Sequence, residues 1–259
     1  MPPSDDPVAL RSAPVAAFFA RIMTHQMRGA FRAVRLLRPG LPDLPAGRPL
    51  VVVANHPSWW DPAFFIVLHA RLFAAREGYG PMEAAMLARY GFFRRIGTFG
   101  VPDGRAGAAA FLRIGEHVLA SPRRMLWVPA QGRFADPRER PLGLRPGAAH
   151  LLARVPEAVA LPLALEYPFW TERRPEALAA FGTPLVEQDD ARGWARRLEE
   201  AATAAADRLA EAAIARDPAL FVTLLGGRRG PGGVWGGWER LRAAWRGERH
   251  RPDHRPEEP

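Results

Sequence analysis

Cysteine is absent from the 259 residues, which excludes disulfides, thiolate metal sites and a cysteine nucleophile together. A reducing cytosol fits that composition. Lysine is absent too, so the formal net charge of +9 and the pI near 11.2 are carried by arginine alone. Such an excess points to an anionic partner, either a membrane surface or a phosphorylated substrate. Nucleic acid is not expected, because no basic run is interleaved with stacking aromatics and no known nucleic-acid motif occurs. Long apolar runs are also missing: the longest candidate, "PAFFIVLHARLFAA", is broken by His69 and Arg71, short of the roughly 18 residues that span a bilayer. The start "MPPSDDPVAL" is acidic and proline-rich, without the basic opening of a secretory signal. The expectation is a cytoplasmic protein, peripheral on the cytoplasmic face of the membrane.

What is present is enough apolar residue, 48%, for one sizeable core. Residues 8 to 38 carry Val15, Phe19, Met23, Met27, Phe31 and Val34 at three- and four-residue steps, with Arg21, Arg28, Arg32 and Arg35 on another face. That spacing predicts one amphipathic helix. Residues 50 to 54 form a continuous apolar run, the mark of a buried strand, followed by a helix opening near Pro57 and Ser58. "RMLWVPA" and "AVALPLALEY" read as further buried strands and "LAAFGTPL" as an edge strand; helices are predicted near residues 108 to 120, over "AHLLARVP", and from Trp194 to Ile214. Strands alternating with helices imply an α/β fold with a largely parallel or mixed central sheet. Three segments follow: an N-terminal amphipathic helix with possible membrane contact (1–44), a single α/β domain (45–225), and a tail rich in Gly, Trp and Arg (226–259).

The stretch "VVVANHPSWWDPAFF" carries the chemistry. An open α/β sheet places its sites beyond the carboxyl ends of its strands, and His56 stands there with Asp61 five positions on. A histidine acting as a base needs a carboxylate that fixes its tautomer and supports its protonated form. On the pair alone, two readings stay open: a catalytic dyad, or a helix-capping histidine beside a first-turn aspartate. His69, His117 and His150 lie on predicted helices and read as packing or surface residues. No ligand spacing for a metal occurs, so none is expected.

The wider pattern is more specific. "NHPSWWD" resembles the H-x-x-x-x-D signature of the lysophospholipid and glycerol-3-phosphate acyltransferase superfamily, in a subgroup with paired tryptophans before the aspartate. Further blocks fall in that family's order over about residues 45 to 185: "GTFGVPD", "WVPAQGR", "LRPGAAHLL" and "AVALPLALEY". The resemblance implies a lipid-metabolic O-acyltransferase, of the kind used in phospholipid biosynthesis, that moves a fatty acyl group from a thioester to a hydroxyl of a lipid-like acceptor. His56 would be the general base and Asp61 its support. Asn55, Gln131, Gly132, Arg133 and Arg145 would bind substrate. No cofactor is implied beyond the acyl thioester itself, on coenzyme A or acyl carrier protein. The remaining partners implied are the lipid acceptor and an anionic membrane surface.

The chain departs from the family pattern twice. Gln131 stands where most members have glutamate, with Ala130 in the proline position and Pro129 one place early; Asp103 stands where an arginine usually meets the acceptor phosphate, with Arg105 two residues later. These departures bring a neutral or glycosylated lipid acceptor into view beside a lysophospholipid. The competing functions are an acyl thioesterase, in which water replaces the alcohol, and an idle lipid-binding or membrane-remodelling protein of the same fold.

Overall fold

The computed structural model describes residues 6–227. Eight strands, β1 (Ala33–Leu37), β2 (Leu50–Ala54), β3 (Glu77–Glu83), β4 (Thr98–Val101), β5 (Arg124–Pro129), β6 (Val159–Glu166), β7 (Glu176–Phe181) and β8 (Phe221–Gly226), form one sheet in the order β4-β3-β5-β2-β6-β7-β1-β8. The five strands from β4 to β6 are mutually parallel, whereas β7 pairs antiparallel with β6, β1 parallel with β7, and β8 antiparallel with β1. The sheet is therefore mixed, as an α/β reading allows.

Its centre is β2, LVVVA, buried along its whole length and hydrogen-bonded on both edges. Successive side chains point to opposite faces. Leu50, Val52 and Ala54 meet the helices α2 (Ala13–Ala30) and α3 (Asp61–Leu72), while Val51 and Val53 meet α5 (Gly104–Leu119), α6 (Gly147–Arg154) and α7 (Ala191–Ala215). Continuous apolarity on the central strands is what two covered faces require. Two short helices, α1 (Pro7–Leu10) and α4 (Ala84–Arg89), and a 3₁₀ turn over Gly91–Ile96 complete the β4 end.

The N-terminal segment differs from its expected single helix. It is helical over Pro7–Leu10 and Ala13–Ala30, then becomes β1. Arg35 consequently leaves the arginine face. It lies buried in the sheet, its Nε donating to Glu176 at 2.9 Å and its Nη1 to Thr223 at 2.9 Å. "LAAFGTPL" is likewise no edge: β7 is buried at all six positions because β1 and β8 extend the sheet past it. The helix expected to open at Ser58 starts at Asp61; Ser58 instead accepts the Trp60 amide through Oγ in the turn before it. The tail expected over 226–259, with all its tryptophans, lies outside the described residues from position 228 on.

Candidate active site

After β2 the chain runs left across the sheet to β3 and β5 and then crosses back to β6, so the loop following β2 sits at the point where the strand order reverses. Ligands of open α/β sheets bind at such points. Two residues beyond Ala54, His56 occupies this place.

The histidine's backbone is held from both sides. Its amide donates to Gln131 Oε1 at 2.7 Å and its carbonyl accepts from the Ala135 amide at 3.0 Å. Asn55 continues the β2–β6 ladder with a side chain in place of backbone: Nδ2 donates to the Leu165 carbonyl at 3.0 Å, and Oδ1 accepts the Leu165 amide at 2.8 Å. His56 Nδ1 lies 2.6 Å from Asp61 Oδ2, and the ring of Phe134 covers the imidazole at 4.6 Å.

Asp61 is 0% exposed, and a buried carboxylate is tolerated only when it is fully bonded. It is. Oδ2 also accepts the Ser58 amide at 3.2 Å, and Oδ1 accepts the Tyr167 hydroxyl at 2.6 Å. Tyr167 follows β6 and packs against Phe31 and Phe64. Burial and the neighbouring carboxylate hold its hydroxyl well above the usual tyrosine range, so it stays a donor. With an acceptor-only carboxylate facing Nδ1, the proton between them belongs to the imidazole, which leaves Nε2 as the basic nitrogen.

His56 lines a groove of about 1720 Å³ that passes α2, α3, the β3–β4 corner and the starts of α5 and α6. Of the residues expected to touch substrate, Gly132, Arg133 and Arg145 line it. Gly132 has a φ of +61°, and a Cβ there would come within 2.5 Å of Arg145 Nε. Glycine thus lets the guanidinium lie across the loop. Arg133 is paired with Glu139 at 2.6 Å in an exposed bridge; the Arg145 amide donates to the Ala130 carbonyl at 2.8 Å, while its guanidinium has no acceptor among the described residues. The first residues of α5 and α6 line the groove as well, with Asp103 at the N-cap of α5.

Asn55 and Gln131, also expected to touch substrate, do not face the groove. Both are buried, and Gln131 uses both polar atoms on backbone, its Nε2 donating to the Leu142 carbonyl at 2.7 Å. A glutamate there would turn a carboxylate toward that carbonyl. The amide of Gln131, an acceptor at one atom and a donor at the other, matches the two backbone groups it braces. Sequence reasoning missed Tyr167 altogether, since its link to Asp61 spans 106 positions and no local spacing signals it.

No family model matches the chain, and no curated protein does. Among solved structures, the crystal structure of the 1-acyl-sn-glycerophosphate (LPA) acyltransferase PlsC from Thermotoga maritima superposes with a TM-score of 0.51 over 79% of this chain and 80% of that one, at 13% identity. The chain shares the fold of that acyltransferase: one α/β domain with an eight-stranded mixed sheet flanked by helices and an N-terminal helix ahead of it.

Proposed function

We propose that the protein is an O-acyltransferase that moves a fatty acyl group from an acyl thioester, on coenzyme A or acyl carrier protein, to a hydroxyl of a lysophospholipid or other lipid-like acceptor. The observation that carries this reading is the His56–Asp61 pair at 2.6 Å, with the histidine on a groove large enough for two lipid substrates and the aspartate sealed beneath it. The shared fold with an LPA acyltransferase supports it.

In the proposed reaction His56 Nε2 takes the acceptor's hydroxyl proton as the oxygen attacks the thioester carbonyl. Asp61 holds the imidazole by Nδ1 and offsets the charge it gains. When the tetrahedral intermediate collapses, the C–S bond breaks and the thiolate recovers the proton from His56, which releases ester and thiol. No acyl-enzyme forms. Tyr167, Gln131 and Asn55 are positioning residues in this scheme: the first fixes the carboxylate, and the other two fix the histidine's loop. Arg145, with the starts of α5 and α6, offers positive potential to a phosphate of the acceptor or of coenzyme A. Work at an anionic membrane surface follows from lipid substrates and an arginine-rich chain.

Positioned general-base catalysis contributes about 100- to 10,000-fold. His56→Ala is expected to lose transfer by at least that factor with melting near wild type, and Asp61→Asn to lose most of it. Acyl-coenzyme A consumption with and without acceptors is the measurement. Acceptor-dependent loss supports transfer; acceptor-independent loss means a thioesterase; no loss means a binding protein. Wild-type turnover by His56→Ala would remove the histidine from the mechanism.

A further inference from the structure

Beyond Tyr79, β3 leaves β5. Its last pair there is Tyr79 with Leu126, and from Gly80 onward it pairs with β4 instead. The groove enters this opening. Most of its wall alongside is hydrocarbon, with Ala16, Ala17 and Ala20 from α2 and Phe65 and Ile66 from α3. Away from His56 the lining changes character. There Arg11, His69, Tyr79 and Trp127 come together: the His69 and Trp127 rings lie 6.3 Å apart, and the Arg11 guanidinium stands 5.8 Å over the Tyr79 ring. Gly78 makes room for the imidazole, because a Cβ there would approach His69 Nδ1 to 2.9 Å.

Arg11 Nε, His69 Nδ1 and Trp127 Nε1 are all buried and all lack a hydrogen-bond partner. Buried polar atoms are normally paired, and each exception needs a reason. Three in one stretch of one groove have a common reason if a polar group of the ligand docks among them. Burial, reinforced by the Arg11 charge, holds His69 at about 4, so its imidazole is neutral near pH 7 and accepts as well as donates. Arginine and tryptophan only donate. A hydroxyl, which accepts and donates, matches that set; a carbonyl, which only accepts, leaves the imidazole acceptor unused.

The depth of the site can be measured along two elements. His69 is eight residues after Asp61 on α3, about 12 Å at the helical rise. Trp127 pairs with Val52, four residues before His56, or about 13 Å along an extended chain. Resting on the acyl-transfer reading, we infer that this Arg11–His69–Trp127 stretch of the groove is an oxygen-binding site for the acyl chain, and that it selects donors carrying a mid-chain hydroxyl.

The test uses the full chain and coenzyme A thioesters of one chain length: unsubstituted, hydroxylated next to the carboxyl carbon, hydroxylated mid-chain, and hydroxylated at the terminal carbon. With one acceptor, kcat/KM for the mid-chain hydroxyl is expected to exceed that of the unsubstituted donor by about three- to tenfold, the value of one or two net hydrogen bonds. Trp127→Phe and Arg11→Met, each checked for a cooperative melt, are expected to bring that ratio towards one. An unsubstituted donor used as well as every hydroxylated one overturns the inference while leaving acyl transfer intact. If no thioester is consumed with any acceptor, acyl transfer itself fails, and calorimetric binding of the hydroxylated and plain thioesters to the same three proteins decides the site independently. Equal affinity there rejects it.

Discussion

Asp61 depends on a tyrosine that is remote in sequence. The Tyr167 hydroxyl at 2.6 Å from Oδ1 is one of three donors on this carboxylate, and hydrogen bonds to charged groups are worth about 1.5–3 kcal/mol. Removing it frees the carboxylate to rotate and loosens the imidazole it orients. Tyr167→Phe keeps the ring between Phe31 and Phe64, so the fold persists, and kcat is expected to fall about tenfold with KM for the donor little changed. A raised KM at constant kcat would make Tyr167 part of the binding wall instead. His56 and Asp61 were legible in the sequence because both sit in one short loop with a recurrent spacing. Tyr167 and the bracing role of Gln131 were not, because each depends on partners brought in from distant strands. Gln131 was read as facing substrate for want of Leu142, whose carbonyl takes its amide.

Legibility among the elements follows the same division. β2, β5 and β6 announce themselves as continuous apolar runs because they are buried on both faces, and α5, α6 and α7 by apolar stripes. β1 was hidden, since AVRLL continues the apolar spacing of α2, and its place in the sheet rests on distant partners, β7 and β8 along its edges and Glu176 at Arg35. β3, EGYGPME, carries glycines and a proline and gives no apolar run or alternation that marks a strand. Those features suit a strand that changes partners midway and lets His69 of α3 pack against Gly78. This contact has a pH signature. Burial pulls His69 down to about 4 from 6.5, so the unfolded chain binds that proton first. Its contribution is intact above about pH 6.5 and is lost as pH falls towards 4, up to about 3 kcal/mol in all. Denaturant unfolding at about pH 7 and pH 4.5 checks it. Wild type is expected to lose more stability than His69→Phe between those pH values, and equal losses would show that His69 protonates freely in the folded protein.

The exposed apolar side chains bear on the proposed work at a membrane surface. Of the 18 residues of α2 only Met27 is buried, although Phe19 reaches Phe92 and Phe93 across the groove at 5.3 and 5.7 Å. Large apolar side chains stand exposed on α2, on α4 and on the turn after it, Phe18, Met86, Tyr90 and Phe92, and near the histidine, Phe134 and Trp59, 75% exposed. No helix among the described residues is long and apolar enough to cross a bilayer. Exposed aromatics with arginines beside them fit a helix and loops lying in the headgroup layer, and that orientation would open the groove towards lipid. On the proposed membrane reading, the net charge of +9 would add long-range attraction to anionic lipid. Exposed charges are screened over about 8 to 10 Å at moderate ionic strength, so binding is expected to favour anionic over neutral vesicles and to weaken as salt rises. Co-sedimentation measures both. Phe18→Ser with Phe92→Ser should reduce binding at high salt, where apolar insertion is what remains, and should leave the low-salt preference for anionic lipid in place. Equal sedimentation with neutral vesicles at every salt concentration would remove the electrostatic part, and an unchanged double variant would remove α2 and the 3₁₀ turn from the contact surface.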